Sequence, residues 1–119
     1  IKTMEKEAPI VSLSSDAPCT PWAEPDSPFY GMYAAVTRKT AGGGTINADE
    51  AISLPQALLA YTRDAAIMGG FTQNGTLEAG KDADFVVLNK DLFSQKADDL
   101  TAVHADQTWI GGKLVYQRK

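Results

Sequence analysis

Cysteine and histidine are almost missing from this chain. Its 119 residues hold one cysteine, Cys19, and one histidine, His104. A lone cysteine excludes an intrachain disulfide and fits a reducing compartment, so the expected location is cytoplasmic. A lone histidine excludes a histidine cluster built by this chain alone. No apolar stretch approaches the ~18 residues that a transmembrane helix needs. Basic residues are also few. The 11 lysines and arginines are scattered against 15 acidic residues, giving a formal charge of −4. That balance argues against nucleic acid or a membrane surface as the partner and suits an enzyme of small molecules. What is plentiful is apolar content, at 44%, enough for one modest core or parts of two. The first residue is Ile1, not methionine. A fragment, a processed product or an isolated domain would each start this way.

Along the chain, Ile1, Met4 and Ala8 stand between charges, as on the tail of an amphipathic helix that Pro9 ends. Residues 10–14, Ile-Val-Ser-Leu-Ser, read as a short strand, followed by a turn at Ser15-Asp16-Ala17-Pro18. Four prolines between 18 and 28 predict a loop. Ser27-Pro28 is a helix start, with Ser27 expected to cap. Phe29, Met32, Tyr33 and Val36 would share one face up to Lys39. The glycines at 42–44 predict a flexible break. Ser53 and Gln56 have the spacing of a capping box. Leu54, Leu58, Tyr61, Ala65 and Met68 would then form one apolar stripe, stopped by Gly69-Gly70. Beyond residue 72 the chain reads as β, with strands at 84–88, 103–110 and 113–117. Gly111-Gly112 is a hairpin signal between the last two.

The segment Gly75-Thr-Leu-Glu-Ala-Gly80-Lys-Asp-Ala-Asp84-Phe-Val-Val-Leu88 is the most specific. Gly75 and Gly80 suit positive φ or a crowded backbone, and Phe85 to Leu88 suits a buried strand. The segment resembles the C-terminal signature of metal-dependent amidohydrolases. Three further pieces follow the same pattern in order. They are Ser14-Ser15-Asp16-Ala17-Pro18, then Leu58-Leu59-Ala60-Tyr61-Thr62-Arg63-Asp64-Ala65-Ala66, then Thr108-Trp109-Ile110-Gly111-Gly112-Lys113-Leu114-Val115-Tyr116. With the helix Gly31-Met-Tyr-Ala-Ala-Val-Thr-Arg38, they look like the branch similar to N-substituted formamide deformylases. The related pattern more often reads Gly-Ser-Asp where this chain has Ser14-Ser15-Asp16.

The resemblance implies an α/β fold: the C-terminal fragment of a (β/α)8 TIM-type barrel plus strands of a small β-sandwich side domain. Residues 1–72 would hold the last barrel strand, the active-site loop and the C-terminal helices. Residues 73–119 would hold the side-domain strands. Asp16 matches the family's aspartate at the end of the last barrel strand. The resemblance gives it two roles, metal ligand and proton carrier for the attacking water. The bland reading is an aspartate capping a turn. The implied cofactor is a divalent metal, zinc, in the full-length enzyme, with none expected on this segment alone. Three protein ligands plus water are usual for such sites, and the family's His-x-His pair is not in this sequence.

Cys19, Trp22, Phe29 and Tyr30 follow Asp16 and are candidate walls of a substrate pocket; plain packing is the alternative. Asp82 and Asp84 are spaced to share a strand face. A structural role, with Asp84 accepting amides of the 75–81 turn, is the stronger reading for that pair. His104 has no nearby ligand partner, and Cys19 has no base beside it. The glycine triplet lacks the lysine-serine ending of a phosphate loop.

The expected activity is hydrolysis of a non-peptide C–N bond, in an amide or formamide, by metal-activated water. The segment alone is expected to be inactive. Its partners would be a small amide-type substrate, and the missing N-terminal barrel or another copy of the chain. The rival is a non-catalytic β-rich binding or oligomerisation module, with the 54–68 stripe as its interface.

Overall fold

Proline and glycine placement divides the chain into its elements. The computed structural model describes residues 1–16 and 26–119. Helix α1 spans Lys2–Glu7, and its C-cap Ala8 turns to extended backbone before Pro9. Helix α2 spans Pro28–Thr37. Pro28 at its first turn costs no hydrogen bond, because that N–H would be unpaired anyway. Ser27 stands at the N-cap position, but its side chain makes no capping bond, contrary to expectation. Arg38 closes α2 in the left-handed region at φ 57, its N–H donating to the Ala34 carbonyl at 3.0 Å.

The glycine triplet forms a defined turn. Lys39 and Thr45 bridge in antiparallel fashion, and the Thr40 N–H donates to the Gly44 carbonyl at 2.8 Å. Helix α3, Leu54–Tyr61, starts with the capping box that the spacing predicts. The Ser53 N–H donates to Gln56 Oε1 at 2.9 Å, and the Gln56 N–H donates to Ser53 Oγ at 3.4 Å.

The long 54–68 helix expected from periodicity is two helices. Helix α4 runs Arg63–Met68, and Thr62 between them sits at φ −120, ψ −91. The Thr62 hydroxyl donates to the Leu58 carbonyl at 2.7 Å, a back-bond that bends helices. The break also rotates the buried face. Leu54, Leu58 and Tyr61 pack on the core, but the fully buried positions are Ala57 and Ala60, and Met68 is left 61% exposed.

No strand forms at residues 10–14. A strand needs a neighbour, and none of the described residues runs beside this segment as a ladder. It makes one backbone bond to α3, from the Leu13 N–H to the Ala60 carbonyl at 3.1 Å. The three C-terminal strands do form, as an antiparallel sheet in sequence order: β1 Phe85–Leu88, β2 Ala105–Ile110 and β3 Lys113–Gln117. Phe85 pairs with Trp109 and the rings stack, centroids 5.6 Å apart and 9° from parallel. Gly111 and Gly112 both have positive φ, 55 and 72, as a tight hairpin of right-handed strands requires. The expected buried strand is not buried. Val86 and Val87 are exposed, as is every residue of β3.

One core joins helices and tail. Phe29, Met32 and Ala35 of α2 pack with Ile52 and with Ala57 of α3. Leu92, Leu100 and Val103, from the irregular chain between β1 and β2, complete it.

The turn at Gly75 keys into the α3–α4 break. Gly75 has φ +90, and a Cβ there would stand 2.6 Å from Ala66 Cβ and 3.2 Å from the Thr62 carbonyl oxygen. Gly80, at φ +91, faces open space. Gly75→Ala should therefore cost more than Gly80→Ala in urea unfolding. Each carries the strain of a positive φ, about 1–3 kcal/mol, and only Gly75→Ala adds an overlap. Equal losses would show that the keyed contact is not tight.

Candidate functional site

Asp16 ends the extended segment that leads away from α1. It is exposed, and its φ is 54. Aspartate tolerates the left-handed region better than most residues, but a non-glycine there is uncommon and points to a local constraint. Three residues earlier, the Leu13–Ala60 bond fixes the segment to α3.

Among the pocket candidates, Cys19 and Trp22 lie outside the described residues. Phe29 is 7% exposed and belongs to the core, whereas Tyr30 beside it is 42% exposed. The two side chains leave the first turn of α2 on different faces. An open hollow lined by Leu77, Glu78, Lys81 and Phe85 does not include Asp16.

Asp84 has a structural position, though not with the partners expected. Its Oδ2 accepts from the Asn74 side-chain amide at 2.5 Å, and its Oδ1 accepts from the Gly111 N–H at 2.7 Å. One carboxylate thus ties the turn before β1 to the hairpin after β2. The adjacent Gly112 N–H reinforces the joint by donating to the Ala83 carbonyl at 3.0 Å. Asn74 was missed by sequence reasoning, although the Asn-Gly pair at 74–75 is a visible turn signal. His104 Nε2 lies 3.3 Å from Asp106 Oδ1, while its backbone N–H donates to Asn89 Oδ1 at 2.9 Å.

Among the described residues, no three or more His, Cys, Asp or Glu side chains gather where a metal could bind. Asp16 offers one carboxylate, and the described residues gather no ligand cluster around it. These residues therefore do not by themselves fit the divalent ion implied by the resemblance.

Two further groups are tuned. In the 119-residue chain taken alone, the Glu50 carboxyl falls from its ordinary 4.5 to about 2. The main cause is the Ile1 ammonium, 2.6 Å from Oε2, followed by the Thr3 hydroxyl and the Thr3 backbone amide. The Tyr61 phenol is pushed above its ordinary value by burial and so stays neutral.

Comparison with known proteins resolves the wider identity. The model of the amidohydrolase family matches residues 1–116. The chain belongs to the amidohydrolase family. It is 34% identical over 119 residues to N-substituted formamide deformylase of Arthrobacter pascens. That alignment covers 99% of this chain and 21% of the relative, so the chain spans about a fifth of that protein's length. No solved structure matches. No helix among the described residues is long and apolar enough to cross a membrane.

The Glu50 contacts give a pH test. In the 119-residue chain expressed alone, whose Ile1 amine is free, the carboxyl is depressed, so the anchor of α1 is fully present above the ordinary carboxylate value and is lost as pH falls through about 2. The Thr3 amide resonance should hold its position from neutral pH to below 4.5 and move near 2. A midpoint at the ordinary value would show that Glu50 holds neither Ile1 nor Thr3.

Proposed function

We propose that this chain is the C-terminal portion of a metal-dependent amidohydrolase that cleaves non-peptide C–N bonds in amides or formamides. The observation that carries the reading is Asp16. An exposed carboxylate is held at positive φ after an extended segment, in a chain of the amidohydrolase family. In this reading residues 10–14 are the last strand of a (β/α)8 barrel, whose neighbouring strands come from elsewhere in the protein. Asp16 then sits at the strand's C-terminal end, where barrel enzymes build their sites.

The chemistry assigned to this chain is proton transfer at one carboxylate. Water attacks the carbonyl carbon, and Asp16 takes the proton that the water loses. The C–N bond breaks with the electron pair going to nitrogen. Asp16 returns the proton there, giving amine and carboxylic acid, which is formic acid from a formamide. A divalent metal, zinc by resemblance, would supply polarisation of the carbonyl and of the water. Asp16 would be one ligand, with the remaining ligands on chain outside this segment. Tyr30, exposed on α2, is the described candidate for the pocket wall; Cys19 and Trp22 stay candidates. The formamide reading rests on the name of the 34% identical relative.

The same reading supplies the partner of the sheet. β1 and β3 are its edges, and the exposed Val86, Leu114 and Val115 need cover. The cover is chain outside this segment, consistent with its spanning 21% of the relative. Expressed alone, the 119 residues should therefore self-associate. Sedimentation showing a well-folded monomer at high concentration would count against it.

The deciding experiment is Asp16→Asn in the full-length product of the gene, assayed by formate release from N-alkyl formamides. Asparagine tolerates positive φ as aspartate does, so the fold is kept while the base is lost. The kcat should fall about 10²–10⁴-fold. Full activity in the variant would sink the assignment.

A further inference from the structure

The joint between the turn before β1 and the β2–β3 hairpin contains a chemically labile pair. Of the three asparagines in the chain, Asn47, Asn74 and Asn89, only Asn74 precedes a glycine. The side-chain carbonyl carbon of an asparagine can be attacked by the backbone nitrogen of the next residue. Glycine hinders that attack least, because it has no Cβ. The fold makes use of both members of the pair. Asn74 Nδ2 donates to Asp84 Oδ2 at 2.5 Å. Gly75 lies at φ +90 against the α3–α4 break, where a Cβ would stand 2.6 Å from Ala66 Cβ and 3.2 Å from Arg63 Cα. A side chain at 75 would slow the attack, but packing excludes it. Replacing the amide at 74 would give up the Asp84 bond. Neither residue is sealed in the core, since Asn74 and Gly75 are both half-buried.

We propose that Asn74 is a deamidation site, latched by Asp84, whose conversion releases the hairpin from the turn. The Gly75 nitrogen forms a bond to Asn74 Cγ and gives up its proton. The Cγ–Nδ2 bond breaks, and ammonia leaves with that proton. Water, the only co-reactant, then opens the cyclic imide. Opening at one carbonyl gives aspartate, and opening at the other gives isoaspartate, in which the main chain runs through Cγ. The leaving nitrogen is the atom held on Asp84, so the latch slows ring closure while it lasts. The product undoes the joint. Aspartate at 74 puts an acceptor where the donor stood, and two carboxylates facing each other at that distance repel. Asp84 Oδ1 also accepts the Gly111 N–H at 2.7 Å, so displacing Asp84 unties the hairpin turn as well. Isoaspartate lengthens the main chain beside Gly75, where the fit against Ala66 is already tight. Asn89 is the contrast. Its Nδ2 donates to the Ala102 carbonyl at 3.2 Å, its Oδ1 accepts the His104 N–H at 2.9 Å, and Lys90 follows it.

The site is independent of Asp16 and of the hydrolysis proposed above. To test it, the full-length protein is aged in mildly alkaline buffer and digested with trypsin. The peptide 64–81 carries no other asparagine, and mass spectrometry follows its conversion. Asn74 should become a mixture of aspartate and isoaspartate while Asn47 and Asn89 stay intact. Asp84→Ala should speed conversion by about 10- to 10²-fold, the worth of a hydrogen bond to a charged group. Because that variant also weakens the sheet, wild-type protein unfolded in guanidinium chloride gives a second comparison, and it should convert faster than native protein by at least as much. The other readout is hydrogen exchange at the Gly111 amide. Its protection should be lost in Asn74→Asp and kept in Asn47→Asp, which adds the same charge elsewhere. Asn74 left intact in aged native protein overturns the site. Equal rates in native protein, Asp84→Ala and guanidinium overturn the latch, and unchanged Gly111 exchange in Asn74→Asp overturns the effect on the hairpin.

Discussion

The close approach of α3 to its neighbours is the constraint on which the rest of the structure depends. It is made with small residues. Ala57 is fully buried and Ala60 nearly so, which lets the helix backbone itself lie against other elements. The Ala60 carbonyl is consequently near enough to accept from Leu13. Larger residues at 57 or 60 would push α3 off the core, and close-packed interiors do not absorb that displacement cheaply. The capping box at Ser53 and Gln56 fixes where the helix begins. Gln56 also donates to Glu5 at 2.8 Å, bringing α1 to the same end. The Gly75 turn fixes the other end at the Thr62 break. The helix is thus held at its start by a capping box visible in sequence, at its end by the Gly75 turn, and in its middle by two alanines.

The sheet is organised differently. It has one aromatic stack, Phe85 on Trp109, and one carboxylate joint at Asp84. A three-stranded sheet with open faces gains little from burial. Its definition comes from turn chemistry: positive φ at Gly75, Gly80, Gly111 and Gly112, and Asp84 satisfying the hairpin amide of Gly111. Such polar joints set register without supplying a core. The apolar valines on β1 and leucine and valine on β3 are what a covered sheet would carry, and the chain of the 34% identical relative is long enough to provide the cover.

Much of this was legible in the residues. The three strands, the hairpin glycines and the capping box follow from local rules, in which a few adjacent residues decide the outcome. The errors share one cause, namely non-local packing. Residues 10–14 have strand composition, but a strand exists only with a partner. The stripe from Leu54 to Met68 has the right spacing for one helix, but the Thr62 hydroxyl and the Gly75 turn break it. Periodicity then pointed to leucines where the deepest positions are alanines. Asp84 was assigned a structural role, yet its partners lie at 74 and 111, one of them across the sheet. At the candidate site, Asp16 could be named from a resemblance. The seat of Tyr61 beside Gly31 could not be foreseen, because nothing in the spacing of residues 31 and 61 shows that one occupies the other's missing side chain.

In the proposed reading, the site is incomplete because its parts reside on different stretches of chain. A hydrolytic site needs several donors converging within a few ångströms, and in a barrel those donors come from different strand ends. A chain with one such strand end can hold one donor in place but cannot assemble the set. What it can do is set that donor's geometry accurately. A left-handed aspartate is suited to this, because its backbone conformation is unfavourable unless the surroundings impose it. The described anchor of the Asp16 segment is its bond from Leu13 to Ala60 of α3. The division of labour is therefore physical. In the proposed reading, ligand number would be met by chain beyond this segment, whereas the arm that leads to Asp16 is held within it, by the alanine-lined helix that also organises the core.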